Sequence, residues 1–124
     1  MRILKISELE ETPMATATPL PGWTGGPVIR TRQTIIGDGQ SETFRCSVVN
    51  FKIGATTGWH VHDCDQLLVV TGGKGFVATE AEQREITVGD VVQIRAGERH
   101  CHGALATSPL SHITVTTVGS QSKH

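Results

Sequence analysis

The sequence of 124 residues contains no tyrosine, and its few phenylalanines and tryptophans hold the aromatic content to 4%. We therefore expect a hydrophobic core built mainly from valine, isoleucine, leucine and alanine. Lysine and arginine (11) almost balance aspartate and glutamate (12), for a net charge of −1. Without a basic stripe, nucleic acid is not an expected partner. The sequence also lacks an apolar run long enough to span a bilayer, so we expect no membrane segment.

Cysteine is scarce as well. Cys46, Cys64 and Cys101 are an odd set without a close pair, which argues against a disulfide framework and predicts reduced thiols. Residues 1–6 lack the apolar region and the cleavage site of a signal peptide. These features predict a cytoplasmic location.

Short runs rich in β-branched residues dominate the remaining sequence, with 14 glycines and five prolines marking turns. Few segments show helical periodicity with capping residues. This pattern predicts an all-β fold, an antiparallel sandwich or barrel with little helix. The predicted strands are residues 28–36, 43–53, 66–70, 75–79, 85–88, 91–94 and 111–118.

The length suits a single domain, which we divide into three parts. Residues 1–27 are predicted to form a short N-terminal strand, within 1–11, followed by a loop-like arm rich in proline and glycine. Residues 28–118 are predicted to form the barrel. Residues 119–124 are predicted to be a flexible, solvated tail.

Four of the six histidines lie in two clusters, His60 with His62 and His100 with His102. Side chains two positions apart on a strand point to one face, so each cluster presents two imidazoles together. Neutral imidazole is a common ligand of Zn, Fe, Mn, Ni and Cu, and such a pair can clamp an ion. The alternative is a pair of exposed histidines on an edge strand.

Two motifs bounded by glycines carry these histidines and together resemble the two motifs of the cupin family. Their residues are Gly54, His60, His62, Gln66 and Gly72 in the first, and Gly89, Gly97 and His100 in the second. The resemblance extends over residues 44–118. It implies a cupin jelly-roll barrel, or double-stranded β-helix, that binds one divalent metal ion through His60, His62, Gln66 and His100.

Three positions depart from the usual cupin motifs. Gln66 stands at the usual glutamate, Arg95 at the usual proline and Ala104 at the usual asparagine. The stretch 100–104, followed by 111–113, is similar to a subgroup of small cupins grouped with the carboxymuconolactone decarboxylases. That subgroup includes the cupin-type hydroxynitrile lyases, in which glutamine also replaces the glutamate. It implies manganese first among the candidate ions, which are Mn, Fe, Zn and Ni.

The glutamine changes the expected chemistry of the site. A neutral amide oxygen leaves the full positive charge of a divalent ion in place, which makes the ion a stronger Lewis acid. Glutamine cannot accept a proton, so a base must come from elsewhere. The resemblance implies His112 as the proton carrier, because a histidine at that place in the lyases handles a proton. His102 is either a second proton carrier or a group that orients a ligand.

Several functions fit this pattern. We expect a metal-dependent enzyme acting on a small oxygenated molecule by lyase or decarboxylase chemistry, with cyanohydrin cleavage suggested by the resemblance. The alternatives are a metal-dependent dioxygenase and a non-catalytic cupin that binds a metal or a small ligand. Small cupins commonly dimerise, so a homodimer is expected. Alternation along the strands predicts that the pocket is shaped by Val48, Asn50, Leu68 and Gln93.

Overall fold

The computed structural model describes residues 1–15 and 17–124 as a nearly all-β chain with one 3-10 turn, Ile6–Glu8. The described strands are β1 (Thr12–Pro13), β2 (Thr18–Pro19), β3 (Arg30–Ile36), β4 (Phe44–Phe51), β5 (Ala55–Thr56), β6 (Val61–His62), β7 (Gln66–Thr79), β8 (Gln83–Thr87), β9 (Val91–Ile94), β10 (His100–Ala104), β11 (Leu110–Thr117) and β12 (Ser122–Lys123). The predicted all-β fold with little helix is confirmed. Within the described residues, no helix is long and apolar enough to cross a membrane.

The strands form one curled antiparallel sheet in the order β1-β3-β4-β11-β7-β10-β5-β2, with β8 and β9 also paired to β7. A second, two-stranded sheet joins β12 to β6. The first half of β7 pairs with β11 and β9, and its second half pairs with β10 and β8. This one long strand therefore connects the two sides of the fold.

A bend in β7 determines where its two ends lie. A straight strand of 14 residues would separate its ends by about 45 Å. Instead, Thr79 at one end pairs with the backbone of His100, and the side chain of Gln66 at the other end lies 3.2 Å from the His100 ring. The chain turns at Gly73, whose φ of +69° favours glycine. The strand thus folds over and closes one side of a cavity.

Several predicted elements differ from those observed. The predicted strands 66–70 and 75–79 are parts of the continuous strand β7, because the glycines between them keep their ladder hydrogen bonds. The predicted strand within residues 1–11 is wrong, since that segment contains the 3-10 turn. Strands β1 and β2 lie in the predicted loop, where Thr16 is outside the described residues.

The predicted flexible tail also differs from the structure. Ser122 and Lys123 pair with His62 and Val61, which makes the segment part of a sheet beside the histidine cluster. The backbone N–H of Gln121 donates to the Asp63 carboxylate at 2.8 Å and anchors this pairing. Sequence patterning did not indicate the contact because the segment is short and polar.

The main core cluster fills the space below the cavity mostly with aliphatic side chains, as the composition predicts, together with Phe51. Phe51, Leu110 and Val70 are each 2% exposed or less. They pack with other buried residues, which are Val49, Ala55, Ile86 and Ala104. Burial of each large side chain stabilises the fold by about 1.5–3 kcal/mol. The core therefore gives the site above it a rigid base.

Substitution of Gly73 tests the importance of the β7 bend. A Cβ atom at Gly73 would clash with the carbonyl oxygen of Pro109, and its positive φ is unfavourable for alanine. We predict that Gly73→Ala lowers the free energy of unfolding by about 2 kcal/mol or more. Gly72→Ala is the matched control, because a Cβ there meets Ser111 at an ordinary 3.5 Å. Urea denaturation measures both, and equal losses would contradict this account of the bend.

Candidate metal centre

Three histidines from separate elements meet at one point of the fold. Backbone hydrogen bonds of 2.9 Å run from the N–H of His60 to the carbonyl of His100 and back again. His62 follows on β6, two positions along the chain, so its ring lies on the same side. The candidate ligand atoms of His60, His62 and His100 all lie within 4.8 Å of one another. The fold therefore unites the two sequence clusters.

Backbone carbonyls orient two of these rings. The Nδ1 atom of His60 lies 2.9 Å from the carbonyl of Gly58, and that of His100 lies 2.8 Å from the carbonyl of Glu98. A carbonyl only accepts, so each Nδ1 carries the hydrogen and each Nε2 presents a lone pair. The Nε2 atom of His62 is buried without a hydrogen-bond partner among the described residues. Such an arrangement of nitrogens fits a metal ion.

Gln66 completes this group from the first residue of β7. Its side chain is 5% exposed, and its Oε1 lies 3.2 Å from Nε2 of His100. Because Nε2 of His100 and Oε1 of Gln66 are both acceptors, no hydrogen bond can form between them as they stand. Either a cation lies between their lone pairs, or the Gln66 amide is rotated so that its N–H donates to His100. The four predicted ligands therefore lie together, and their three nitrogens and one oxygen match the donor preferences of several divalent ions.

Burial keeps these imidazoles neutral at neutral pH. It lowers the pKa of His60 to about 4, and it also lowers the pKa values of His62 and His100. Neutral imidazole is the form that binds a metal ion, whereas the protonated form cannot. The site is therefore ready to coordinate without first losing protons.

A second pair of histidines lies behind this group. Nε2 of His112 is 3.1 Å from Nδ1 of His102, and Nδ1 of His112 is 3.1 Å from the hydroxyl of Thr114. His102 lines the cavity, whereas His112 is fully buried behind it. The Nε2 atom of His102 is buried without a hydrogen-bond partner among the described residues. The structure thus places His102, rather than His112, at the cavity wall.

The cavity has a volume of about 530 Å³ and is bounded by the inner faces of β3, β4 and β11. Ser47, Val49 and Phe51 face it from β4, so the prediction that Val48 and Asn50 shape the pocket is wrong. The register explains the error, because Val49 lies opposite the inward residue His112. Between residues 47 and 51, the inward-facing residues of β4 are therefore the odd-numbered ones, not the even-numbered ones that we predicted.

The other two predicted pocket residues also lie elsewhere. Leu68 is fully buried in the core. The side-chain amide of Gln93 donates to the Asp65 carboxylate at 3.3 Å, outside the cavity. The same carboxylate accepts the backbone N–H of Ala96 at 3.0 Å, so it ties β7 to the loop before β10. Alternation along a strand separates two faces but does not identify the inner one. Without the pairing register of the strands, neither residue could be assigned to the pocket from the sequence.

Sequence reasoning missed three arginines that line the cavity, Arg30, Arg32 and Arg45. The spacing of two between Arg30 and Arg32 on a strand was the available signal, since it places both on one face. Sequence reasoning also missed Ser120, Ser122 and His124, which line the cavity from the C-terminal segment. No local pattern in the sequence predicts that contact.

The cysteines lie outside the histidine group. All three cysteines are free in the structure, and their reduced state stays a prediction. Cys101 points away from the histidines and packs with Phe76 and Ala78, and burial raises the pKa of its thiol. Cys46 lines the cavity from β4.

Comparisons with known proteins agree with this geometry. The family model described as Cupin domain matches residues 47–116, a segment that contains all four predicted ligands. An (R)-mandelonitrile lyase of Granulicella tundricola is 43% identical over 68 residues, which are 54% of this chain and 52% of that protein. The chain thus spans about half the length of this curated relative.

Solved structures show the same fold. A cupin-like protein of Thermotoga maritima has a TM-score of 0.70 and 31% identity, with 75% of this chain and 74% of that chain covered. The polyketide cyclase RemF of Streptomyces resistomycificus has a TM-score of 0.77 over 98% of this chain and 84% of that chain. Its identity is 15%, so it shows the architecture alone.

The buried histidines predict a pH-dependent stability. Between about pH 6.5 and pH 4, histidines of the unfolded chain take up protons, whereas His112, whose pKa burial lowers to about 4, stays neutral in the fold. Protons therefore favour unfolding, and stability rises with pH across this window. For His112 alone the effect is about 3 kcal/mol. Urea denaturation of the protein in excess chelator measures it.

Two variants separate titration from packing. We expect His112→Asn to make the pH dependence shallower by the share of one histidine, because His112 no longer titrates while the other buried histidines still do. Val49→Ala, at the position opposite His112, should lower stability by about 1–2 kcal/mol at every pH. If the free energy of unfolding changed with pH by the same amount in the wild type and in His112→Asn, the contribution assigned to this histidine would be contradicted.

Proposed function

Because the chain belongs to the cupin domain family, we propose that it is a metal-dependent enzyme acting on a small oxygenated molecule by lyase chemistry. The metal ligands are His60, His62, His100 and Gln66. The observation that carries this proposal is the convergence of three neutral histidines, whose candidate ligand atoms lie within 4.8 Å of one another. Manganese is the favoured ion among Mn, Fe, Zn and Ni, in line with the resemblance to the subgroup that contains glutamine.

Bound there, a divalent ion supplies Lewis acidity toward a hydroxyl or carbonyl oxygen of the substrate. The chain's own donors are all neutral, so they leave the charge of the ion largely uncompensated. Gln66 therefore favours oxygen activation at some cost in metal affinity. The backbone acceptors at Gly58 and Glu98 hold His60 and His100 in the tautomer that coordinates.

Proton transfer falls to the His102–His112 pair. If Nδ1 of His112 donates to Thr114, then its Nε2 accepts the Nδ1 hydrogen of His102. His102 is then left with a lone pair on Nε2, at the cavity wall. Burial and the nearby His112 lower the pKa of His102 well below its ordinary value, so this nitrogen is unprotonated at neutral pH and its lone pair is available as an acceptor. His112 holds the tautomer and shares the charge.

The name of the mandelonitrile lyase relative suggests one reaction of this class. In cyanohydrin cleavage the substrate hydroxyl loses its proton, the bond from carbon to cyanide breaks, and cyanide leaves with that proton as hydrogen cyanide. His102 would take the hydroxyl proton and return it to cyanide. The homodimer remains a prediction, which a measurement of molecular mass in solution tests.

Metal content tests the ligand set directly. We expect about one equivalent of manganese per chain after reconstitution, measured by elemental analysis of dialysed protein. His62→Ala and His100→Ala should each weaken metal binding by more than about 100-fold, since loss of an orienting partner alone costs about 10–100-fold. His112→Asn is the control that keeps the full ligand set. A wild type that retains well under one equivalent would contradict the proposal.

Activity toward mandelonitrile tests the reaction. We expect benzaldehyde and cyanide to form without oxygen, and His102→Asn to reduce kcat by about 100-fold or more at unchanged metal content. Arg84→Gln, a change on the exposed strand β8 outside the cavity, is the control. Strict dependence on oxygen would favour a dioxygenase instead. Unchanged kcat in His102→Asn would contradict the proton-transfer role.

A further inference from the structure

The cavity in front of the histidine group carries an excess of positive charge. Arg30, Arg32 and Arg45 line it, and of the described lining residues only Asp38 is acidic. The histidines add no negative charge, and burial keeps those of the ligand group neutral at neutral pH. The proposed lyase reaction on a neutral cyanohydrin does not use this charge.

The strands place two of these arginines side by side. Arg30 and Arg32 are two positions apart on β3 and face the cavity together, with Arg32 opposite Val49 of β4. Burial, together with the charge of Arg32, lowers the pKa of Arg30. Burial lowers the pKa values of His102 and His112, and the charge of Arg30 adds a smaller contribution in the same direction. The pair therefore lies near the proposed proton carriers.

Arg45 extends the positive wall along β4. Its Nη2 atom donates to the carbonyl of Ser120 at 3.1 Å, while its Nε atom is buried without a hydrogen-bond partner among the described residues. A buried guanidinium N–H without an acceptor costs free energy, and the charge of Arg45 adds to the positive potential of the cavity that its side chain lines.

We propose that the cavity binds a small molecule that bears a carboxylate, with the carboxylate against Arg30 and Arg32 and the reacting oxygen toward His60, His62 and His100. Guanidinium groups bind carboxylates through paired N–H donors, which gives both affinity and orientation. Only the second half of this statement rests on the proposed function, since the arginine contact needs no metal. The inference sets this chain apart from a relative named for a neutral nitrile.

Mandelate and mandelamide are suitable probes, because they differ at one group only. Mandelate carries a carboxylate where mandelamide carries a neutral amide. Titration calorimetry on the full chain, freed of metal by chelation and dialysis, removes any attraction between carboxylate and metal. We expect mandelate to bind at least about tenfold more tightly than mandelamide, as charge-assisted hydrogen bonds imply. Added salt should reduce the difference.

Substitution identifies the contact. Arg32→Gln should remove most of the preference for mandelate and leave mandelamide binding unchanged, and Arg32 is exposed enough for the fold to tolerate the change. Arg45→Gln is a second variant and should reduce the preference less. Arg84→Gln is the control, because it removes the same charge from the exposed strand β8 and should change nothing.

Equal affinity for the two probes, including no measurable binding of either, would overturn the inference. An equal loss in Arg84→Gln and Arg32→Gln would overturn it as well, since net charge would then be the cause. Metal content is measured on the same samples. If the chain prefers mandelate but takes up no metal, only the proposed function is contradicted. If it takes up metal but binds mandelate and mandelamide equally well, only this inference is contradicted.

Discussion

The bend of β7 is the constraint on which the rest of the site depends. It brings Gln66, at one end of the strand, within 3.2 Å of the His100 ring, while Thr79 at the other end pairs with the His100 backbone. The backbone bridge between His100 and His60 then adds the third element. Each candidate ligand is thus held by sheet hydrogen bonds rather than by a loose loop.

The histidine group could be predicted from the sequence, because the spacing of the histidines within each motif indicates which of them share a strand face. His60 and His62 share a face by strand periodicity, and the second motif supplies His100. The direction of β4 could not be predicted in the same way. A shift of one residue moves every side chain to the other face, and only the pairing of Val49 with His112 decides between the two. The pairing of β12 with β6 is likewise a long-range contact without a local signal.

The electrostatics of the site are consistent across its parts. Every candidate ligand is neutral, the two deeper histidines are kept neutral by burial, and the opposite wall carries arginines. Positive charge therefore lies along β3, and a divalent ion bound by the proposed ligands would add to it. An arrangement of this kind is costly unless the molecule that enters brings negative charge or develops it on an oxygen during the reaction.

The location of the bound ion tests the central claim most directly. Crystals of the protein reconstituted with manganese, measured with anomalous scattering, would show where the ion binds. The account predicts one peak per chain within bonding distance of the Nε2 atoms of His60, His62 and His100 and of Oε1 of Gln66. A peak bound by other residues, or none at full reconstitution, would contradict it.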